Sequence, residues 1–143
     1  MAIPVFREDG FLPEGVHFAE MEEVRERFGL ATPRRRELME RVENWIELAR
    51  LVRARRLLLD GSFVTEKLSP NDVDAVMLLP LDFDERLREF DSVAWEIRDC
   101  AHYGHPAELF LAKGDDRWLE WIEYFSRVRM NQDIHKGLIE VRL

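Results

Sequence analysis

Cysteine is nearly absent from this chain of 143 residues: Cys100 stands alone. One thiol cannot form an intrachain disulfide, so nothing points to an oxidising compartment. Long apolar runs are also missing. Nowhere do roughly 18 apolar residues follow one another, which argues against a membrane-spanning helix. The first nine residues have no basic region and no apolar stretch, so no leader is expected and a cytoplasmic protein is the default. Positive charge is in deficit, with a net charge of -8. General nucleic-acid binding is therefore not expected, because such proteins present positive surface to phosphates. Repeats and low-complexity tracts are lacking too.

What remains fits one soluble domain spanning residues 1–143, with 46% apolar and 35% charged residues. Residues 1–16 carry Pro4, Gly10, Pro13 and Gly15 and read as an irregular arm. A short acidic helix is expected from Ala19 to Phe28, stopped by Gly29. Thr32 and Pro33 open the longest helix as N-cap and first helical residue. Along it Leu38, Val42, Trp45, Ile46, Ala49 and Val52 recur every three or four residues and draw an apolar stripe. Between Arg34 and Arg56, eight arginines stand against four glutamates. Most of those charges are expected to form a solvated helix face.

The stripe needs a flat surface to cover, and three short apolar segments supply it. Arg56 to Asp60 and Ala107 to Ala112 read as strands, as does Asp72 to Leu79, whose apolar run suits a strand covered on both faces. A helix is expected from Asp84 to Arg98, with Leu87, Phe90, Val93, Ala94 and Ile97 inward. Another follows from Asp116 to Arg129, with Trp118, Trp121, Ile122 and Phe125 on its core face. The alternation of Ile139, Val141 and Leu143 suggests a final edge strand. The fold class is thus α/β (α+β): a small mixed sheet flanked by helices.

The chemistry concentrates in residues 60–74. Gly61 allows a sharp turn at a strand end and close approach of a ligand. Ser62 offers a hydroxyl and an N–H to a phosphate oxygen. Asp72 and Asp74, two apart on a strand, would point to one face about 7 Å apart. Two carboxylates that close call for a cation, and oxygen ligands suit Mg²⁺ or Mn²⁺. The bland alternative is a polar turn feeding a strand. Cys100, His102 and His105 contain zinc-ligand types, but no fourth ligand is evident and they read as loop residues.

The Gly61-Ser62 pair, the nine-residue spacing and Asp72-Val73-Asp74 resemble the motif of the DNA polymerase beta-like nucleotidyltransferase superfamily. A third acid on a later strand belongs to that motif, and Glu108 at the start of "ELFLA" is its natural counterpart. The chain is also similar to a bacterial group sharing a "DGSF" and "P-x-D-x-D" core, with no assigned substrate. The resemblance implies a minimal nucleotidyltransferase-like domain. Asp72, Asp74 and Glu108 would hold divalent metal and serve catalysis. Gly61 and Ser62 would hold the phosphates of a nucleoside triphosphate, with Lys67 within reach. A nucleoside monophosphate would pass to an acceptor, releasing pyrophosphate. The resemblance equally allows a non-catalytic module that acts with a protein partner encoded nearby, as in toxin–antitoxin pairs. Phe63 departs from the pattern, since active small members carry a basic residue there, and Asn71 and Glu108 replace the commoner Ser and Asp.

Overall fold

The computed structural model describes residues 3–103 and 108–143. Its elements in chain order are β1 (Gly15–Ala19), α1 (Met21–Phe28), α2 (Pro33–Val52), β2 (Arg56–Asp60), β3 (Asp74–Leu78), α3 (Phe83–Arg88), α4 (Ser92–Tyr103), β4 (Leu109–Ala112), α5 (Asp115–Ser126), β5 (Arg127–Val128), β6 (Asn131–His135) and β7 (Gly137–Val141). Five strands form one sheet in the order β1-β7-β2-β3-β4, while β5 and β6 make a separate hairpin. The sheet is mixed. β1 runs parallel to β7, β7 and β3 run antiparallel to β2, and β4 runs parallel to β3.

Period-two alternation divides the sheet's side chains between two cores. Leu57, Leu59, Ala75, Met77 and Ile139 join the apolar stripe of α2 on one face, together with Phe28, Ala94 and Ile97. Leu58, Val76, Leu78 and Leu138 face the other way and meet Trp118 and Phe125 of α5. The run of three buried leucines in β2 thus serves both sides of a central strand.

The start of α2 is as expected: Thr32 Oγ1 accepts from the Arg35 N–H at 3.2 Å, with Pro33 at the first helical position. Elsewhere the structure corrects the sequence. The irregular arm ends early, because residues 15–19 form β1. Strand β7 is therefore not an edge strand; β1 covers its outer side and β2 its inner side. The helix expected from Asp84 to Arg98 is two helices. Phe90 sits at a φ of 59° between them, and Asp91 Oδ1 accepts the Ala94 N–H to start α4. Phe90 is consequently exposed rather than inward. The last helix stops at Ser126 and the chain turns into the β5–β6 hairpin. Ala107, the expected first residue of the third strand, lies outside the described residues. Among the described residues no helix is long and apolar enough to cross a membrane.

Candidate functional site

Strand register brings three acids into one row. Asp60 at the end of β2 pairs with Asp74 at the start of β3. Ala75 pairs with Leu109 and donates its N–H to the Glu108 carbonyl at 2.8 Å, so Glu108 enters β4 beside Asp74. Asp60 and Glu108 are buried and Asp74 is half-buried. The three line the floor of a cleft of about 2350 Å³.

Asp72 lines the same cleft but is not on the strand, contrary to the sequence expectation. Its Oδ1 accepts the Ser62 N–H at 2.9 Å and the Ser62 hydroxyl at 2.7 Å. The Ser62 Oγ in turn accepts the Asn71 N–H at 2.8 Å. The two halves of the motif are therefore tied to each other, and both donors of Ser62 are engaged. Gly61 is needed for the same reason. It sits at a φ of 90°, and a Cβ there would lie 3.0 Å from the Asp72 carbonyl oxygen and the Val73 Cα. The close approach anticipated for a ligand is made by the chain's own 72–73 backbone.

Each end of the acidic row has its own cation. Lys136 Nζ donates to Asp60 Oδ1 at 2.7 Å, with both side chains largely buried. Burial nevertheless holds the Asp60 carboxyl above its ordinary range, against the pull of Lys136. At the other end Arg41 Nη1 donates to Glu108 Oε1 at 2.5 Å, and the Val73 N–H reaches Oε2 at 3.4 Å. The Asp74 carboxylate, between them, has no hydrogen bond or ion pair among the described residues. Burial, and then the charges of Asp72, Asp60 and Glu108, push it up to about 7, and Lys136 draws it down only as the weakest of these influences. A proton or a cation at Asp74 relieves that repulsion.

The donor chemistry fits a hard divalent ion, since the ligands are carboxylate oxygens. The placement is not that of a closed metal cage: among the described residues no group of three or more His, Cys, Asp or Glu gathers to hold one. Asp72 is held by Ser62 and Glu108 by Arg41, so an ion shared by all three would draw both carboxylates from those partners. His105 of the weighed zinc set lies outside the described residues, and Cys100 is half-buried with its thiol pushed up by burial.

Lys67 is exposed at one side of the cleft. The loop that carries it is clamped by arginines of α2. Buried Arg35 donates to the carbonyls of Phe28, Phe63, Thr65 and Lys67, and Arg34 to those of Pro70 and Asn71. Arg36 bonds the Leu30 carbonyl, and Arg55 those of Leu79 and Lys113. Most charges of the arginine-rich segment are exposed, as expected of a solvated face, and Arg34, Arg35, Arg36 and Arg55 in addition clamp backbone carbonyls. Guanidinium suits this role because its fork of donors satisfies several carbonyls at once.

Asp60, Lys136, Arg41 and Arg35 were not singled out by sequence reasoning. Asp60 had a local signal, since it directly precedes Gly61. Lys136 had none, because 76 residues separate it from Asp60.

The chain belongs to a family of unknown function, DUF6932, whose profile matches residues 4–142. No curated protein and no solved structure matches it.

Proposed function

We propose that the cleft is the site of a divalent-cation-dependent nucleotidyltransferase, working in the cytoplasm on a nucleoside triphosphate. The observation that carries this is Asp74: a half-buried carboxylate with no bonded partner among the described residues, between two acids that have one, lining a large cleft. The surrounding arrangement supports it. A Gly-Ser turn follows β2, and acids begin or precede the adjacent β3 and β4, as in the nucleotidyltransferase-like fold that the motif resembles.

Asp72, Asp74 and Glu108 would hold Mg²⁺ or Mn²⁺, which supplies charge neutralisation for transfer of a nucleoside monophosphate with release of pyrophosphate. Gly61 and Ser62 form the turn against which the phosphates rest, and Lys67 offers them a flexible cation. For the Ser62 hydroxyl to reach a phosphate it must give up Asp72, so occupation of the site exchanges one bond for another. Arg41 neutralises Glu108 until an ion takes its place, and Lys136 keeps Asp60 from adding a further unpaired charge.

Thermal melting with Mn²⁺ or Mg²⁺, followed by label transfer from α-labelled nucleoside triphosphates in cell extract, tests the proposal. The wild type is expected to be stabilised by the ion and to transfer label, whereas Asp74→Asn does neither. Equal melting shifts in both proteins would remove the metal site.

A second reading is a non-catalytic module that retains the fold and binds a protein partner encoded nearby. Phe63 favours it. In the position where active small members carry a basic residue, this ring is buried against Phe28, 5.8 Å between centroids, and under Arg35. Ion binding without transfer of any nucleotide would select this reading.

A further inference from the structure

The acidic floor of the cleft adjoins an aromatic wall. Glu108 and Phe110 both line the cleft and are two residues apart along an extended segment, a span of about 7 Å. The Phe110 ring lies 4.9 Å from Trp121 and 5.4 Å from Phe125, centroid to centroid. Trp121 and Phe125 stack on each other at 5.5 Å with 25° between their planes. The Arg117 guanidinium covers Trp121 at 4.4 Å. These rings are occupied by one another.

Tyr124 is different. Its ring stands roughly perpendicular to those of Trp121 and Phe125, at 81° and 83°, and is held by both. Yet it is 63% exposed and lines the same cleft. A ring held by two neighbours and still largely exposed offers stacking surface at little cost in side-chain entropy. Two exposed cations line the same cleft, Lys67 on the clamped loop and Arg129 at the turn of the β5–β6 hairpin. A planar head with an anionic tail, its charge bridged to the acids by a divalent ion, matches this combination of an exposed ring, acidic lining and lining cations.

We infer that Tyr124 is the stacking platform for the base of a nucleotide whose phosphates face Asp74 and Lys67. This rests on the nucleotide site proposed above and adds to it the residue that receives the base. Stacking is tolerant of base identity, because every base has a π face. The site therefore takes purine and pyrimidine nucleotides alike.

Calorimetric titration in Mn²⁺ with ATP, GTP, CTP and inorganic tripolyphosphate separates the base from the phosphates. Tyr124→Ala is expected to weaken each nucleotide about tenfold and leave tripolyphosphate unchanged. Tyr124→Phe keeps wild-type affinity, since the ring remains, and Asp74→Asn weakens nucleotides and tripolyphosphate together. Unchanged nucleotide affinity in Tyr124→Ala, with loss in Asp74→Asn, would overturn the base platform and leave the cation site standing. Tripolyphosphate binding as tightly as the nucleotides would do the same. Failure of the wild type to bind any of the four would overturn both, and an aromatic peptide captured at Tyr124 instead would assign the wall to a protein partner.

Discussion

One face of the five-stranded sheet lies beneath α2, α1 and α4 and is closed by a continuous core that includes Phe28, Leu38, Ile46 and Ile97. The other lies beneath α5, where the core is a smaller group around Leu58, Val76 and Trp118. The difference shows in polar satisfaction as well. Arg35, buried on the first side, has four carbonyl partners, while Trp118 Nε1 on the second is a buried donor with no partner among the described residues. Leu119, Tyr124 and Met130 stay exposed beside α5, and the cleft opens there. A fully covered face has no room for unsatisfied charge, because desolvating a carboxylate without a partner is too costly. The thinly covered face tolerates Asp74 because water or a ligand can still reach it. The closed face provides rigidity, and the open one leaves a carboxylate within reach of solvent.

The largest expected effect breaks that comparison if it fails. Ile46→Ala empties a site in the closed core and should cost about 3–4 kcal/mol in urea unfolding, whereas Ile122→Ala, on α5, should cost about 1 kcal/mol. Equal losses would mean that the two faces contribute alike. The clamp comes next. Arg35→Met leaves buried carbonyls unpaired and should cost about 3 kcal/mol, with faster proteolysis inside residues 63–71 than elsewhere. Uniform proteolysis would show that the loop holds its shape without Arg35.

The smallest effect concerns the open face and depends on pH. Folded Asp74 titrates at about 7 against an ordinary value of 3.8. The folded state therefore keeps a proton that the unfolded chain releases. The resulting stabilisation is complete below about pH 4 and is lost as pH rises through about 7. Asp74→Asn cannot ionise. It should exceed the wild type by about 1–3 kcal/mol at pH 8 and match it near pH 4. Saturating Mn²⁺ should narrow the gap at pH 8. A difference that does not change between those two pH values would place its cause outside the titration of Asp74.

Much of the framework was legible locally. The Thr32-Pro33 start, the stripe of α2 and the three leucines of β2 are periodicities and caps, set by neighbours within a turn or two. The Gly61-Ser62 and Asp72-x-Asp74 motif was also visible, and so was Glu108 beside a strand. What failed was nonlocal or competed with a stronger pattern. Gly15 and Pro13 disguised β1, whose identity depends on pairing with β7 at the far end of the chain. The apolar spacing through Phe90 hid a break capped by Asp91. The clamping role of Arg35 stayed hidden because its carbonyl partners belong to other segments, and nothing in a sequence marks a carbonyl as unpaired.

The sequence by itself determined where a charged, turn-bounded motif would lie and which segments would be apolar enough to cover a sheet. Only the tertiary structure decided how the charges are shared. Register set Asp60 and Glu108 on either side of Asp74, and packing brought Lys136 and Arg41 into contact with the outer two, while among the described residues no side chain bonds the middle one. The reason is physical: periodicity is a property of neighbouring residues, whereas the state of a buried carboxylate is fixed by whatever the fold brings within a few ångströms of it.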